Sequence, residues 1–474
     1  MIDLTDVQEP EAGLLDSIDF TPTEEQELAL RKLQDWVINR PRDIAIPACI
    51  QEVFYDNPAD FFVLRGVAGS GKTSLTSYLL AWLHDQGYNV AVAAPTNKAV
   101  GVLAEKVNEF VHGAYLQAEF ASIHSFCGLR MQENDDGTHR VVPSGYARLG
   151  DYHFVIVDEA SMVDSTVLLA QIQANRDRCR VIFVGDNFQL PPVGEAQDSP
   201  VFDLPIGAKL QQVTRQAAGN PLIRASMLVR EKIAQNERVE ASDLAKWLPD
   251  NMLAGSKAMI NAAIAARLEG KDARILAYRN AAVVGYNERI HYALYPDADD
   301  LFVPGERVVV QSASQGLNIG TGTMIDLRTS EELDVIQLRA EKHDRYKDVS
   351  CWAMLLRNDL GQEILLYVPK SGKHFDSKVS SLFNEVNDVK RERDKGRASD
   401  RDYKDALAAA WAFKKAFCEV RHTYASTVHK AQGSTYDIAF IDLPDLQAMR
   451  SVFEYNRALY VALTRPRFDC YTAF

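Results

Sequence analysis

Two parallel α/β sheets, with a smaller all-β insertion in the second, are what this chain predicts, on three observations. Short apolar strands alternate with helices from Phe20 to about Val213, the alternation of a parallel sheet with crossover helices. A second alternating block starts at Ala273-Arg-Ile-Leu-Ala-Tyr278 and resumes at Ile438-Ala-Phe-Ile-Asp442 and Cys470-Tyr-Thr-Ala-Phe474. Between them, residues 300 to 370 hold short strands separated by Gly and Asn (Arg307-Val-Val-Val-Gln311, Asp334-Val-Ile-Gln-Leu338, Glu363-Ile-Leu-Leu-Tyr-Val368), which suggests a small β barrel.

Taken in order, residues 1–19 carry six acidic side chains and no Lys or Arg, the composition of a solvated tail. Order is expected from Phe20-Thr-Pro-Thr-Glu-Glu-Gln26, where Thr23 can cap a helix running through Trp36. Phe61-Phe-Val-Leu64 then leads into Gly66-Val-Ala-Gly-Ser-Gly-Lys-Thr73 and the helical run from Ser74 to Leu83. A buried strand, a glycine-rich turn and a helix are the context in which G-x-x-x-x-G-K-[ST] cradles phosphates. Gly66, Gly69, Ser70, Gly71 and Ser74 would line that cradle with backbone N–H groups and the positive end of the helix dipole. Lys72 would reach the β/γ-phosphates and Thr73 would ligate Mg²⁺.

The buried strand His153-Phe-Val-Ile-Val157 delivers Asp158-Glu159 at its carboxyl end. An acidic pair there is often only a helix cap. Beside an intact phosphate loop it reads as hydrolysis, with Asp158 on Mg²⁺ directly or through one of its ligands and Glu159 as the base that orients water. Val181-Ile-Phe-Val184 runs into Gly185-Asp-Asn-Phe-Gln-Leu-Pro-Pro-Val-Gly194, a polar turn stiffened by two prolines that can set Gln189 against a nucleotide. Cys127 to Val142 holds two short segments around Asn134-Asp-Asp-Gly137, a hairpin signal, and must protrude from the first sheet. Asp388 to Asp405 is densely charged with both signs and reads as an exposed, salt-bridged helical insertion.

Composition bounds the function. The chain has 474 residues, 47% hydrophobic and 25% charged, and no run approaches the ~20 apolar residues of a membrane span. Its acidic start lacks the basic opening of a signal peptide, so the cytoplasm or its equivalent is expected. Six scattered cysteines without a C-x-x-C pair indicate neither a zinc site nor a disulfide framework. A net charge of -13 argues against indiscriminate polyanion binding, so any nucleic-acid groove must be local.

The ordered set of motifs resembles the superfamily 1 helicases of subgroup B, the group of phage Dda and bacterial RecD-like proteins, from Gln26 to Arg467. The resemblance implies two RecA-like domains: 1A (20–205, with a hairpin 1B at about 126–148) and 2A (206–299 and 421–474), with an inserted SH3-like barrel and helical part 2B (300–420). It assigns Gln26 to the adenine, Asp186 and Gln189 to sensing the γ-phosphate and linking it to DNA, and Gly433 to the nucleotide. Leu210-Gln-Gln-Val-Thr-Arg-Gln216 and Leu459-Tyr-Val-Ala-Leu-Thr-Arg465 resemble the motifs whose arginines, here Arg215 and Arg465, reach the phosphates. A cation there meets charge spread over equatorial oxygens in the transition state.

The DNA-facing motifs it implies are Ala94-Pro-Thr-Asn-Lys-Ala99 (Pro95, Thr96, Lys98), Ser122-Ile-His-Ser125 (His124, Ser125) and Ser426-Thr-Val-His-Lys-Ala-Gln-Gly433 (Thr427, His429, Lys430). The hairpin matches the strand-separating pin in position, with Phe126, Leu129 and Met131 as wedge candidates. One position departs: Thr435 stands where many superfamily 1 members carry a ribose-binding Glu.

The implied activity is a Mg²⁺-dependent ATPase stepping 5′ to 3′ along single-stranded DNA and opening forked duplex ahead, in replication, recombination or repair. A monomer is implied, with a single-strand-binding or replisome protein as partner, in a bacterial or phage-infected cytoplasm. No nuclease or protease module is expected, since the chain begins close to Gln26 and ends on a sheet strand. Two other readings stay open: a translocase that strips or remodels protein–DNA complexes, and a nucleotide-switched DNA-binding loader.

Overall fold

The computed structural model describes residues 13–39, 51–54, 57–95, 99–101, 103–104, 107, 118–133, 139–164, 168–192, 197–214, 220–298, 300–312 and 314–474. They fall into two compact units, one of 1–132, 140–280 and 427–474, the other of 133–139 and 281–426.

The first unit contains both parallel sheets. In the first sheet, strands β1 (Phe61–Gly66), β2 (Val90–Ala94), β3 (Glu119–Ser122), β6 (Phe154–Val157), β7 (Arg180–Gly185) and β8 (Gly207–Leu210) stand in the order β3-β2-β6-β7-β1-β8. All pairings are parallel. Both faces of the central strands are buried, which is why they read as unbroken apolar runs rather than alternating ones. The carboxyl ends of β1, β6 and β7 are neighbours, so the phosphate loop, Asp158-Glu159 and Asp186 converge without any long-range adjustment. Strand β8 belongs to this sheet, Val63 pairing with Gly207 and Gly66 with Leu210, within the alternation read to about Val213 and past the bound of 205 that the resemblance implies. The first sheet therefore runs past Leu210.

Helix α1 (Glu24–Asn39) opens on a reciprocal cap: Gln26 N–H donates to Thr23 Oγ1 and Thr23 N–H to Gln26 Oε1. Its far end is fixed by Arg180, whose guanidinium lies 3.7 Å from the Trp36 ring centre and donates to Val37 O at 3.0 Å, and by Trp36 Nε1, which donates to Ala59 O at 2.9 Å. Held at both ends, the helix delivers Gln26 to the phosphate loop.

The hairpin strands β4 (Leu129–Glu133) and β5 (His139–Pro143) form a two-stranded sheet, and the turn expected at 134–137 lies outside the described residues, as does the side chain of Met131. Two of the wedge candidates are corrected: Phe126 is wholly buried and Leu129 9% exposed, both in the core with Ile123, Leu149 and Val157. An apolar side chain already excluded from water has no free face to offer a base pair. Phe126→Ala should therefore lower unfolding stability by roughly 3–5 kcal/mol in urea titrations; unchanged stability with reduced unwinding would return Phe126 to a wedge role.

In the second sheet, β9 (Met252–Leu253), β10 (Ala273–Ala277), β19 (Tyr436–Asp442) and β20 (Pro466–Ala473) stand in the order β10-β19-β20-β9, again parallel. Its core includes Leu276, Ala439, Ile441 and Tyr455 and also Leu190, which arrives from the turn after β7 of the first sheet.

The second unit is organised on a seven-stranded antiparallel sheet. Strands β11 (Arg307–Val310), β12 (Ser314–Asn318), β13 (Met324–Leu327), β14 (Glu332–Lys342), β15 (Ser350–Arg357), β16 (Glu363–Pro369) and β17 (Val420–His422) lie in the order β13-β12-β16-β15-β14-β11-β17. β17 pairs with β11, so this sheet reaches beyond the boundary expected at 420. The unit also starts before 300, since His291, on the helix Asn280–Leu294, is buried against Glu306 and His422. Burial alone would raise the pKa of Glu306, but His422, Tyr424 and His291 bring it below the ordinary carboxylate value. The two imidazole rings stack 4.6 Å apart, 24° from parallel, so their in-plane lone pairs run side by side rather than towards one point. We read the cluster as a buried carboxylate satisfied by its donors.

The charged stretch forms two helices, Gly372–Asp394 and Asp400–Lys415, with ion pairs such as Lys395 to Glu392 at 2.9 Å on the exposed side. Phe375, Phe413 and Phe417 pack them onto Val349 and Cys351. The five cysteines among the described residues are all free and buried. No helix among those residues is long and apolar enough to cross a membrane.

Candidate nucleotide and nucleic-acid site

The phosphate loop follows β1 and closes on α2 (Lys72–Asp85), whose N-cap Gly71 has φ 83°, a left-handed value that favours glycine. Space adds a second reason: a Cβ on Gly71 would lie 2.7 Å from Gln26 Nε2, and one on Gly66 would lie 2.6 Å from Ser70 Oγ. Gln26 Nε2 donates to Ser70 O at 3.1 Å, so Gln26 and the loop share one hydrogen bond. Lys72 Nζ donates to Gly66 O (2.6 Å) and Val67 O (3.0 Å), which keeps the ammonium inside the curve of the loop. Thr73 and Ser74 are half-buried on the first turn of α2.

Beside the loop lies a cavity of about 280 Å³ lined in part by Phe20, Thr23, Gln26, Gly71, Tyr78 and Thr214. Phe20 and Tyr78 approach to 5.6 Å between ring centres, and the Tyr78 hydroxyl donates to Asp19. Aromatic walls, one amide and an adjoining phosphate cradle fit a purine nucleotide. Sequence reasoning found Gln26 and missed Phe20, Tyr78 and Thr214, which were not singled out within the segments that hold them and meet only through folding. Thr214 N donates to Gly69 O at 2.8 Å, anchoring the segment that precedes Arg215; Arg215 itself lies outside the described residues.

Glu159 follows β6 with φ 52°, an uncommon conformation for a residue with a side chain. Burial, reinforced by the Asp158 and Asp186 carboxylates and opposed by Arg465 and Lys72, pushes its pKa up to about 7. A Cβ placed on Gly433 would lie 3.7 Å from Glu159 Oε1, so Gly433 faces the carboxylate from the other sheet's motif. Asp158 Oδ1 accepts the Glu159 N–H at 2.8 Å.

Asp186 is fully buried and accepts from Phe188 N (3.0 Å) and from the Tyr460 hydroxyl (2.8 Å). The same Tyr460 oxygen accepts the Ala68 N–H of the phosphate loop at 3.1 Å. Gln189, 5% exposed, accepts from Gln432 Nε2 at 3.3 Å, and Gln432 also donates to Ser161 at 3.3 Å. Arg465 donates to Val461 O (3.0 Å), Ser434 O (3.2 Å) and Thr464 Oγ1 (3.0 Å) and is 7% exposed. Nearby, Arg457 pairs in bidentate fashion with Asp198, Nη2 lying 2.5 and 2.8 Å from its two oxygens. Tyr460, Gln432 and Arg457 were not singled out from sequence, although the first two sit inside motifs that were.

Two of the three segments expected to face nucleic acid share one construction. Ser122 ends β3 and caps Ile123–Phe126 by accepting Ser125 N; Thr427 ends β18 (Ala425–Thr427) and caps Val428–Ala431 by accepting Lys430 N. His124 and His429 stand two residues beyond these caps, each with its pKa lowered by burial against the opposing pull of Asp164 and Glu454 respectively. Both imidazoles are thus held towards the neutral form, suited to hydrogen bonding rather than to charge. Ser125 and Lys430 are exposed, Thr427 is buried, Pro95 is half-buried, and Thr96 and Lys98 lie outside the described residues.

A family model described as an AAA domain matches residues 49–248, and one described as a UvrD-like helicase C-terminal domain matches residues 422–471. The ATP-dependent DNA helicase dda of Enterobacteria phage T4 is 25% identical over 441 residues, 86% of this chain and 93% of that protein. These matches relate the chain to the superfamily 1B helicases of the Dda and RecD kind. Within that family, the ATP-dependent RecD2 DNA helicase of Deinococcus radiodurans is 32% identical over 171 residues, 35% of this chain and 21% of that protein. The fold is also that of the Pif1 helicase from Candida albicans, at 16% identity and a TM-score of 0.50, covering 96% of this chain and 94% of that one.

If Glu159 is the base, kcat/KM for ATP should rise with pH through a limb centred near 7, because an acid with a raised pKa ionises only above it. Glu159→Gln should remove both the limb and most of the rate; a limb left at the ordinary carboxylate value would assign the base elsewhere.

Proposed function

We propose that this chain is an ATP-driven DNA helicase that moves 5′ to 3′ along single-stranded DNA and separates the duplex ahead. The observation that carries the reading is Glu159, its pKa raised to about 7, with the phosphate loop on its own sheet and Gly433 and Arg465 of the other sheet's motifs about it. An ATPase site completed by both sheets hydrolyses only when they are correctly set, and that makes it a motor rather than a store of nucleotide.

Thr73 and Asp158 are oxygen donors suited to Mg²⁺, which when bound supplies charge neutralisation at the phosphates. Lys72 holds the β/γ-phosphates, Gln26 with the aromatic pocket holds the base, and Glu159 orients water and accepts its proton. Arg465 and Arg215 offset charge on the transferring group. Gln189, tied to Gln432, links hydrolysis to the strand motifs at Pro95–Lys98, His124–Ser125 and Thr427–Lys430. The antiparallel sheet and its helices correspond in this reading to an SH3-like 2B domain inserted in 2A, and β4–β5 to the pin. Polarity and the preference for single-stranded and forked DNA are carried by the resemblance to Dda- and RecD-like proteins.

ATP hydrolysis should rise at least about tenfold on adding single-stranded DNA, and Lys72→Ala should abolish it. Forks with a 5′ tail should be opened and those with only a 3′ tail left intact. Absence of DNA stimulation would sink the motor reading, and opening of the 3′-tailed fork would reverse the polarity. Gln189→Ala should keep the KM for ATP within about threefold while unwinding per ATP falls about tenfold or more; normal coupling in that variant would remove Gln189 from the linkage.

A further inference from the structure

We propose that Tyr146 is a stacking platform for a nucleobase of the bound single strand, a role that rests on the reading of Ser122–Ser125 as a DNA contact. The side chain is 80% exposed, and it is the exposed large apolar group among the described side chains of residues 122–148. Isolated exposed aromatics are common on protein surfaces. What distinguishes this one is the loop that carries it.

Ser144-Gly-Tyr-Ala-Arg148 lies flush against the end of the helix Ile123–Phe126. Ser144 N donates to Gly128 O and Arg148 N to Phe126 O, each at 2.7 Å. Gly128 has φ 66°, and a Cβ there would lie 2.7 Å from Gly145 O and 3.0 Å from Ala147 N, so the loop approaches as closely as it does only because position 128 has no side chain. Arg148 then clamps the loop's far end, with Nη1 2.7 Å from Glu119 Oε1 and its guanidinium 5.5 Å from the Phe126 ring centre. Between these anchors the small neighbours Gly145 and Ala147 leave the phenol ring standing clear. The backbone is fixed and the ring is not covered.

Position supplies the ligand. Gly128 N donates to Ser125 O at 3.0 Å, so Gly128, which accepts from Ser144 of the loop, joins the loop to the exposed serine of the Ser122–Ser125 segment through two hydrogen bonds. A strand held there by its phosphates turns its bases outward, and every base has an apolar π face that stacks on an aromatic ring without regard to sequence. Tyrosine loses little conformational freedom on being covered, having two side-chain torsions. In a chain of net charge -13, an attraction that does not depend on cations adds affinity where electrostatics cannot supply much.

The test uses the full chain and an oligothymidylate. Tyr146→Ala should weaken binding about tenfold, while the dependence of log K on log salt keeps its slope because no phosphate contact is lost. Tyr146→Phe should bind as the unaltered chain does. Tyr146→Trp should add a fluorescence that the oligonucleotide quenches, beyond any change in the five native tryptophans. A purely structural tyrosine would show none of this quenching, and its loss would lower the thermal midpoint instead. Affinity of Tyr146→Ala within about twofold of the unaltered chain, or an added indole signal in Tyr146→Trp that is indifferent to saturating DNA, overturns the proposal. An unaltered chain that binds no single strand overturns the helicase reading and this one with it.

Discussion

The hydroxyl of Tyr460 is the point on which the arrangement turns. It sits on the helix of the second sheet that ends just before Arg465, donates to the fully buried Asp186 carboxylate and accepts the Ala68 N–H of the phosphate loop. Water cannot substitute at so buried a place, and leaving either partner unsatisfied would cost about 1–3 kcal/mol. Three segments distant in sequence are therefore held to one atom. Displacement of the loop, of the turn after β7 or of the second sheet's helix is felt by the other two. The Phe188 ring, 6.1 Å from that of Tyr460, packs the same junction from its apolar side.

Around this point the chain accepts local strain. Glu159 adopts a left-handed backbone that costs of order 1–3 kcal/mol for a residue with a side chain, and its carboxyl is kept in a setting that disfavours ionisation. Neither choice helps folding. Both set a carboxyl whose pKa lies near neutrality beside Lys72 and Arg465, and the close-packed parallel sheet beneath supplies the stability that tolerates them.

What the sequence disclosed was whatever is local. The phosphate loop, the acidic pair after β6 and the polar turn after β7 are each a strand end followed by a short backbone pattern, and topology alone brings such ends together. The capping pair Thr23–Gln26 was legible for the same reason. Phe20, Tyr78 and Thr214 were not, because an aromatic or a threonine acquires its meaning only from what folds against it. Phe126 misled because an apolar residue beside a hairpin looks alike whether it points to solvent or core. Strand β8 lay inside the alternation read to about Val213 but outside the domain bound of 205, because four residues with a glycine give little periodic signal, and its membership is decided by pairing with β1. The antiparallel sheet announced its strands, while its extent to β17 was settled by the His422–Glu306 cluster and by strand register.

Leu190 belongs to the first sheet by sequence and to the second by packing, at 1% exposure among Leu222, Leu276 and Ala439. During synthesis the first sheet can close once β8 has been made, but the core cluster that takes in Leu190 is completed by residues as late as Cys470. For the length of chain between them this leucine is a finished piece waiting for its socket. The turn that carries Asp186 and Gln189 would then be the last part of the early sheet to settle, which ties maturation of the ATPase site to emergence of the final strand.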